Sequence, residues 1–163
     1  MGKNRSITIK NSEIHETVEI VLPVNIYGAI ILSDGTIDAE ASILERKKVK
    51  QNRIANVPQI AKRKGTLVYE SSDTLNIHSD ANGEYWCCAK CQQPLGDSRT
   101  NYKTRCIQEN REISTSNPLI GDPSRFIDDA VEFRQFYCTG CGSLLDNEIA
   151  IASDPVIHDV RGA

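Results

Sequence analysis

The stretch "FYCTGCGSLLD" at residues 136–146 contains two cysteines, Cys138 and Cys141, separated by two residues and followed by a glycine. An earlier stretch, "YWCCAKCQQPLGD" at residues 85–97, repeats this outline with Cys88 and Cys91. A two-residue gap lets a tight turn direct both thiolates toward one ion, and four thiolates from two such turns form a closed tetrahedral site. The four cysteines are therefore predicted to bind one structural zinc ion, which stabilises the fold and does not activate water.

The similarity between the two stretches extends beyond the cysteines. Each has an aromatic residue two positions before its first ligand and a leucine seven positions after it, which is typical of paired metal-binding turns with a small core behind the sulfurs. A glycine suits the position after the second cysteine, where the backbone often has positive φ; Gly142 stands there in one stretch and Gln92 in the other. The aligned pairs are Cys88 with Cys138, Cys91 with Cys141, Trp86 with Phe136 and Leu95 with Leu145.

The other features of the cysteines leave some alternatives open. The two pairs are separated by 46 residues, longer than the usual zinc-ribbon interval of about 15–20, so the site is expected to close over an inserted subdomain. Cys87 could replace Cys88 as a ligand, although the alignment favours Cys88, and Cys106 is expected to be a buried, small apolar residue. A tetrahedral site of four thiolates also accepts iron, as in a rubredoxin-like electron carrier.

Length, charge and hydropathy limit the class of protein. The chain has 163 residues, enough for one domain or for a small domain with a metal module. Its net charge is −3, so no global basic excess favours nucleic acid or membrane binding. No apolar run of 18 residues and no signal-peptide pattern is present. The protein is expected to be cytoplasmic, where thiols stay reduced and six cysteines indicate metal before disulfides.

The chain is predicted to be a β-rich α+β protein. Strands are predicted in five segments: "SITIK", "TVEIVLPV", "NIYGAIILS", "TLVYE" and "LNIH". Pro23 is expected at an edge strand or at the end of a strand. Turns are predicted at Asp34-Gly35 and at "SDANG". We expect a β-rich N-terminal part over residues 1–80, with a basic segment at 45–64, and a zinc-ribbon-like domain over residues 81–163.

A short helix is predicted between the two metal-binding turns, in "DPSRFIDDAVEFRQF". Asp122 suits the N-cap and Pro123 the first helical position. Apolar side chains at helical spacing would share one face; they are Phe126, Ile127, Ala130 and Val131.

The basic segment at residues 45–64 carries eight Lys or Arg against the single acid Glu45. It is interpreted first as a solvated loop or helix face, and second as a docking surface for an acidic partner. Nucleic acid is a weaker interpretation, because the segment has no aromatic residues for base stacking.

No phosphate-binding loop, dinucleotide fingerprint or serine-nucleophile motif occurs. The histidines are scattered, and a His158–Asp159 pair is interpreted as structural or at the surface. No catalytic or cofactor-binding residue is therefore predicted in this chain.

The segment "FYCTGCGSLLDNEIAIASDPVIHDV", with "GDSRTNYK" after the first cysteine pair, resembles the small zinc-binding subunit of the acetone carboxylase gamma-subunit family and its acetophenone carboxylase relatives. The first cysteine stretch departs from the acetone-type arrangement, which favours the acetophenone type.

This resemblance implies a subunit of a hetero-oligomeric, ATP-dependent carboxylase, a ligase that joins bicarbonate to a ketone and gives a β-keto acid. The large partner subunits, related to hydantoinases, would bind ATP and Mg²⁺ or Mn²⁺, and this chain would contribute its zinc ligands, Cys88, Cys91, Cys138 and Cys141. The alternative is a stand-alone zinc-ribbon module that binds nucleic acid or a protein.

Overall fold

The computed structural model describes the backbone of residues 5–10, 17–22, 30–31, 37–58, 60–113 and 122–160, and the side chains of these ranges from residue 40 onward. The described elements are mostly antiparallel strands, as expected for a β-rich protein. The chain divides into two compact units, Met1–Val49 and Lys50–Ala163. Within the described ranges, no helix is both long and apolar enough to cross a bilayer.

The first unit contains two small hairpins. Strand β1 (Arg5–Lys10) pairs antiparallel with β2 (Thr17–Leu22), which confirms the first two predicted strands. Strand β3 (Ile30–Ile31) pairs with β4 (Ile37–Asp38). The predicted features at Pro23 and Asp34-Gly35 lie outside the described residues.

Helix α1 (Ala39–Ile54) follows β4 and contains the first part of the basic segment. Glu40 lies in its first turn and Arg53 in its last, where each charge interacts favourably with the helix dipole and stabilises the helix. Arg46, Lys47 and Lys48 are exposed, as in a solvated helix face.

The second unit begins its β-structure with a four-stranded antiparallel sheet. Its strands are β5 (Thr66–Glu70), β6 (Leu75–Asp80), β7 (Gly83–Cys88) and β8 (Pro94–Asp97), and they lie side by side in chain order. The predicted "SDANG" turn joins β6 to β7, with the positive φ of 102° at Gly83. The predicted domain division at residue 80 falls between β6 and β7 of this sheet, and the division stays a prediction.

A second sheet has three antiparallel strands, β9 (Ile107–Glu112), β10 (Val131–Tyr137) and β11 (Leu144–Ile151), with β10 in the centre. The core of the second unit contains side chains from both sheets and from the turn after β8. Its buried apolar members are Leu75, Ile77, Trp86, Leu95, Tyr102 and Leu145, together with Cys88 and Cys138.

The helix predicted in "DPSRFIDDAVEFRQF" is wrong beyond its first turn. Asp122 does cap a turn through its side chain, which accepts from the Ser124 amide, but that turn is a 3-10 turn of three residues, Pro123–Arg125. Phe126 is 84% exposed and Ile127 is 44% exposed, so these members of the predicted apolar face do not pack into the core that the described residues form. From Val131 onward, pairing with strands on both sides provides more backbone hydrogen bonds and burial than an isolated helix would.

Candidate metal centre

The four predicted ligands lie in the turns of two hairpins that have the same backbone structure. In the turn between β7 and β8, the Cys88 amide donates to the Gln93 carbonyl at 3.0 Å, and the Gln92 amide donates to the Cys88 carbonyl at 2.8 Å. The turn between β10 and β11 repeats both bonds, from Cys138 to Ser143 at 2.9 Å and from Gly142 to Cys138 at 2.8 Å. The repeat seen in the sequence is therefore a repeat of local structure.

The residue after each second cysteine has a left-handed backbone. Gln92 has φ of 57° and Gly142 has φ of 63°. A Cβ on Gly142 would lie 2.9 Å from the Lys50 carbonyl oxygen, so the second turn needs glycine for space as well as for its backbone angle. Gln92 is exposed and tolerates a side chain at the corresponding position.

The sulfur atoms of Cys88, Cys91, Cys138 and Cys141 all lie within 4.8 Å of one another. Cys88 Sγ and Cys141 Sγ are 3.9 Å apart, and Cys91 Sγ and Cys138 Sγ are 3.5 Å apart. A tetrahedron with zinc–sulfur bonds of about 2.3 Å has sulfur–sulfur edges of about 3.8 Å. The four thiols therefore fit one tetrahedrally coordinated ion.

Burial and hydrogen bonds between the thiols set their pKa values. A hydrogen bond from the Cys138 thiol lowers the pKa of Cys88 to about 5, whereas burial raises the pKa of Cys91 to about 12. The same hydrogen bond, together with burial, raises the pKa of Cys138 far above its ordinary value. A divalent ion would stabilise the cysteines that bind it as thiolates and would therefore displace protons from Cys91 and Cys138.

The two remaining cysteines lie outside the cluster. Cys87 is buried, its sulfur contacts the Cys88 carbonyl oxygen at 3.8 Å, and burial raises its pKa to about 11. The Cys106 thiol donates to the Tyr102 carbonyl at 3.4 Å, and the residue packs half-buried against the core. The alternative in which Cys87 replaces Cys88 does not match this geometry.

Most of the aromatic and leucine pairs pack in one buried cluster with the first cysteine of each turn. Trp86, Leu95 and Leu145 belong to this cluster together with Cys88 and Cys138, and Phe136 is fully buried. The Trp86 indole donates to the Thr100 carbonyl at 3.1 Å and its ring lies 5.6 Å from that of Tyr102. These last contacts hold β7, the strand that carries Cys88.

The end of α1 supports the second turn. Arg53 donates to the Gly142 carbonyl at 3.2 Å, forms an ion pair with Glu109 at 2.6 Å, and its guanidinium lies 3.5 Å from the centre of the Tyr137 ring. Arg53 lies in the basic segment, and no local sequence signal indicates this contact, because its partners are far away in the chain.

A buried group of charges, which no local sequence signal indicates, connects Lys103 and Asp159 to the sheet of β9–β11. Lys103 is 2% exposed and contacts Asp146, Glu148 and Asp159 at 3.0, 3.1 and 3.0 Å. Although burial opposes its charge, the three carboxylates raise the pKa of Lys103. Asp159, considered in the sequence as a partner of His158, is thus held by Lys103.

Fold and cluster together define a β-rich protein whose two hairpin turns assemble a four-cysteine site that can hold a metal ion. Residues 62–162 match the family described as acetone carboxylase gamma subunit, and the chain belongs to this family. The match includes all four cysteines, Lys103 and both larger sheets.

A relative named acetophenone carboxylase beta subunit, from Aromatoleum aromaticum (strain DSM 19018 / LMG 30748 / EbN1), is 32% identical to this chain over 91 residues. The aligned part covers 54% of this chain and 70% of that protein.

Proposed function

We propose that this chain is the small, zinc-binding and non-catalytic subunit of a hetero-oligomeric, ATP-dependent ketone carboxylase. The observation that carries the proposal is the four-thiol cluster, because its residues lie within the part of the chain that matches the carboxylase subunit family. Zinc is the ion that such a site of four cysteines commonly holds.

The ion has a structural role in this proposal. Four thiolates complete a tetrahedral shell and leave no position for a water molecule or a substrate. The residues of this chain hold the two hairpin turns together: the thiols converge, Arg53 supports the second turn, and Trp86 packs in the cluster that contains Cys88 and Cys138. The product of these contacts is a rigid module that larger subunits can bind.

The chemistry then belongs to the partners. In the proposed reaction a C–C bond forms between the methyl carbon of the ketone and the carbon of bicarbonate, giving a β-keto acid. ATP would activate the reactants by phosphorylation, on large hydantoinase-related subunits that also bind Mg²⁺ or Mn²⁺. Such phosphoryl transfer needs a site that binds phosphates and the metal ions, and we assign it to those subunits.

We propose an aromatic ketone of the acetophenone type as the substrate of the complex, and the cytoplasm as its location. Similarity to the acetophenone carboxylase beta subunit supports the choice of ketone. The sequence of the first cysteine stretch, which departs from the acetone type, supports the same choice.

The exposed basic residues of α1 are proposed as a docking surface for an acidic face of a large subunit. Arg46, Lys47 and Lys48 are exposed, whereas Arg53 and Arg63 of the same basic segment form internal ion pairs with Glu109 and Asp80. Reversing the three exposed charges should reduce the yield of co-purifying subunits. A control that reverses three other exposed charges, at Arg99, Arg105 and Arg125, should not. Equal yields from both triple variants would exclude this surface.

The proposal as a whole is tested by affinity purification of the tagged chain from its native cell. We expect large carboxylase subunits to co-purify, acetophenone carboxylation that depends on ATP, and one zinc per copy of this chain. Co-purification of nucleic acid without such subunits would favour the stand-alone zinc-ribbon alternative, and a red, iron-containing protein would favour an electron carrier.

A further inference from the structure

Strand β5 lies at the edge of the four-stranded sheet, and among the described residues it pairs only with β6. All five of its residues are exposed. Leu67, Val68 and Tyr69 are exposed by 50%, 52% and 61%, an unusual run of large apolar side chains for a strand edge in contact with water. An edge with free backbone groups and apolar side chains is a template for pairing with another strand.

The protein nevertheless holds this strand firmly in place. Just before β5, the backbone of Gly65 packs so closely on the sheet that an added Cβ would lie 2.6 Å from the Tyr85 hydroxyl and 2.7 Å from the Ser79 carbonyl oxygen. Arg63 forms an ion pair with Asp80 and lies 3.9 Å from the centre of the Tyr85 ring. The edge is therefore pre-organised, which lowers the entropic cost of binding.

The charges at the two ends of β5 are opposite and exposed. Lys62 and Lys64 precede the strand, whereas Glu70 ends it and Asp73 follows it. The ion pairs found within residues 40–58, 60–113 and 122–160 do not include any of these four side chains. A strand that is basic at one end and acidic at the other is complementary to an antiparallel copy of itself.

We propose that β5 pairs antiparallel with β5 of a second copy of this chain, across a two-fold axis at Val68. In this register Leu67 of one copy faces Tyr69 of the other, an aliphatic–aromatic cross-strand pair. Thr66 faces Glu70, and Lys64 comes beside the acidic end of the partner strand. The two four-stranded sheets then form one continuous sheet, and the contact is the same from both sides, as in an isologous dimer.

The bulge of β5 lies at the same central point. Pairing with β6 shifts register between Leu67 and Tyr69, so Val68 is the extra residue. A bulge is one of several devices that protect edges from pairing, but β5 exposes three apolar residues in succession to a partner. A two-fold axis at the bulge places equal strand segments on either side of it.

The oligomeric state of the purified, zinc-loaded full chain tests the proposal. Sedimentation equilibrium from micromolar to millimolar concentration should show a reversible dimer. Val68→Lys places two like charges at the axis and should raise the dimer dissociation constant about tenfold or more. Ile149→Lys, at a side chain of β11 that is 51% exposed, is the matched control and should leave the constant unchanged. Zinc content and thermal unfolding establish that both variants are folded.

Two exposed charge reversals give a second test that does not change the apolar residues. Lys64→Glu and Glu70→Lys should each weaken the dimer, and an equimolar mixture of the two variants should form a mixed dimer, because their reversed charges lie diagonally beside each other across the axis. A wild-type chain that is monomeric throughout, a dimer that only Ile149→Lys weakens, or a mixture that does not associate would each overturn the proposal. These outcomes are independent of the carboxylase proposal, which depends on the chains that co-purify.

Discussion

The second cysteine turn makes a sharp prediction about Gly142→Ala. The residue has φ of 63°, and the new Cβ would lie 2.9 Å from the Lys50 carbonyl oxygen and 3.2 Å from Lys50 Cα, both of them backbone atoms that cannot move independently. A left-handed alanine costs roughly 1–2 kcal/mol, and one added methyl in a closely packed place costs about 1–3 kcal/mol. We therefore expect a loss of about 2–5 kcal/mol in the free energy of unfolding.

The first turn provides the control. Gln92 has nearly the same φ, 57°, but is exposed, so Gln92→Ala should change stability by less than about 0.5 kcal/mol. Gln92→Gly should be neutral or stabilising by up to about 1 kcal/mol, because it relieves the left-handed backbone. Urea unfolding of the zinc-loaded chains measures these values, and chelator competition should show a zinc affinity that is about a hundredfold weaker for a loss near 3 kcal/mol. Equal stabilities of the Gly142→Ala and Gln92→Ala variants would refute the reasoning.

Three further predictions follow from the same site and its surroundings. Cys138→Ser should abolish tight zinc binding, unfold the region around the cluster and lower the yield of the complex. A metal-free variant that assembles normally but is inactive would contradict a structural role for the ion. Zinc binding at neutral pH should release at least two protons, because Cys91, with its pKa of about 12, and Cys138 are protonated before the metal binds. Zinc affinity should therefore fall as the pH is lowered. A pH-indicator titration that detects no proton release would disprove this. Lys103→Met should cost about 1.5–3 kcal/mol in urea unfolding, because buried Glu148 loses its lysine partner but keeps Arg134 at 3.2 Å. A change below about 1 kcal/mol would show that the carboxylates are solvated.

The parts of the site that the sequence predicts are the local ones. The cysteine spacing, the aromatic residues and the leucines all lie within a few residues of one another, and a two-residue gap permits few turn structures. The sequence repeat therefore predicts the structure of both turns, including the left-handed position after each second cysteine. Strands β1, β2, β5 and β6 are also predicted, because the residue types that indicate a strand lie within the strand itself.

The parts that the sequence does not predict depend on contacts between distant residues. The apolar spacing of residues 126–131 fits a helix, but the pairing of β10 with two neighbours decides the structure from Val131 onward. Arg53 and Lys103 look like ordinary surface charges, and only the folded chain brings them to Glu109 and to the three carboxylates. Charge alone does not show whether a basic residue binds a partner or its own fold.

The 46 residues between Cys91 and Cys138 have a consequence for biosynthesis. The first hairpin leaves the ribosome well before the second, so the nascent protein passes through a period in which it offers only a two-thiol half-site. A Cys-x-x-Cys pair in that state is open to oxidation to an intramolecular disulfide, which would prevent later loading of the ion. Recombinant production in zinc-poor or oxidising conditions should therefore accumulate a misassembled form that reductant and added zinc together rescue.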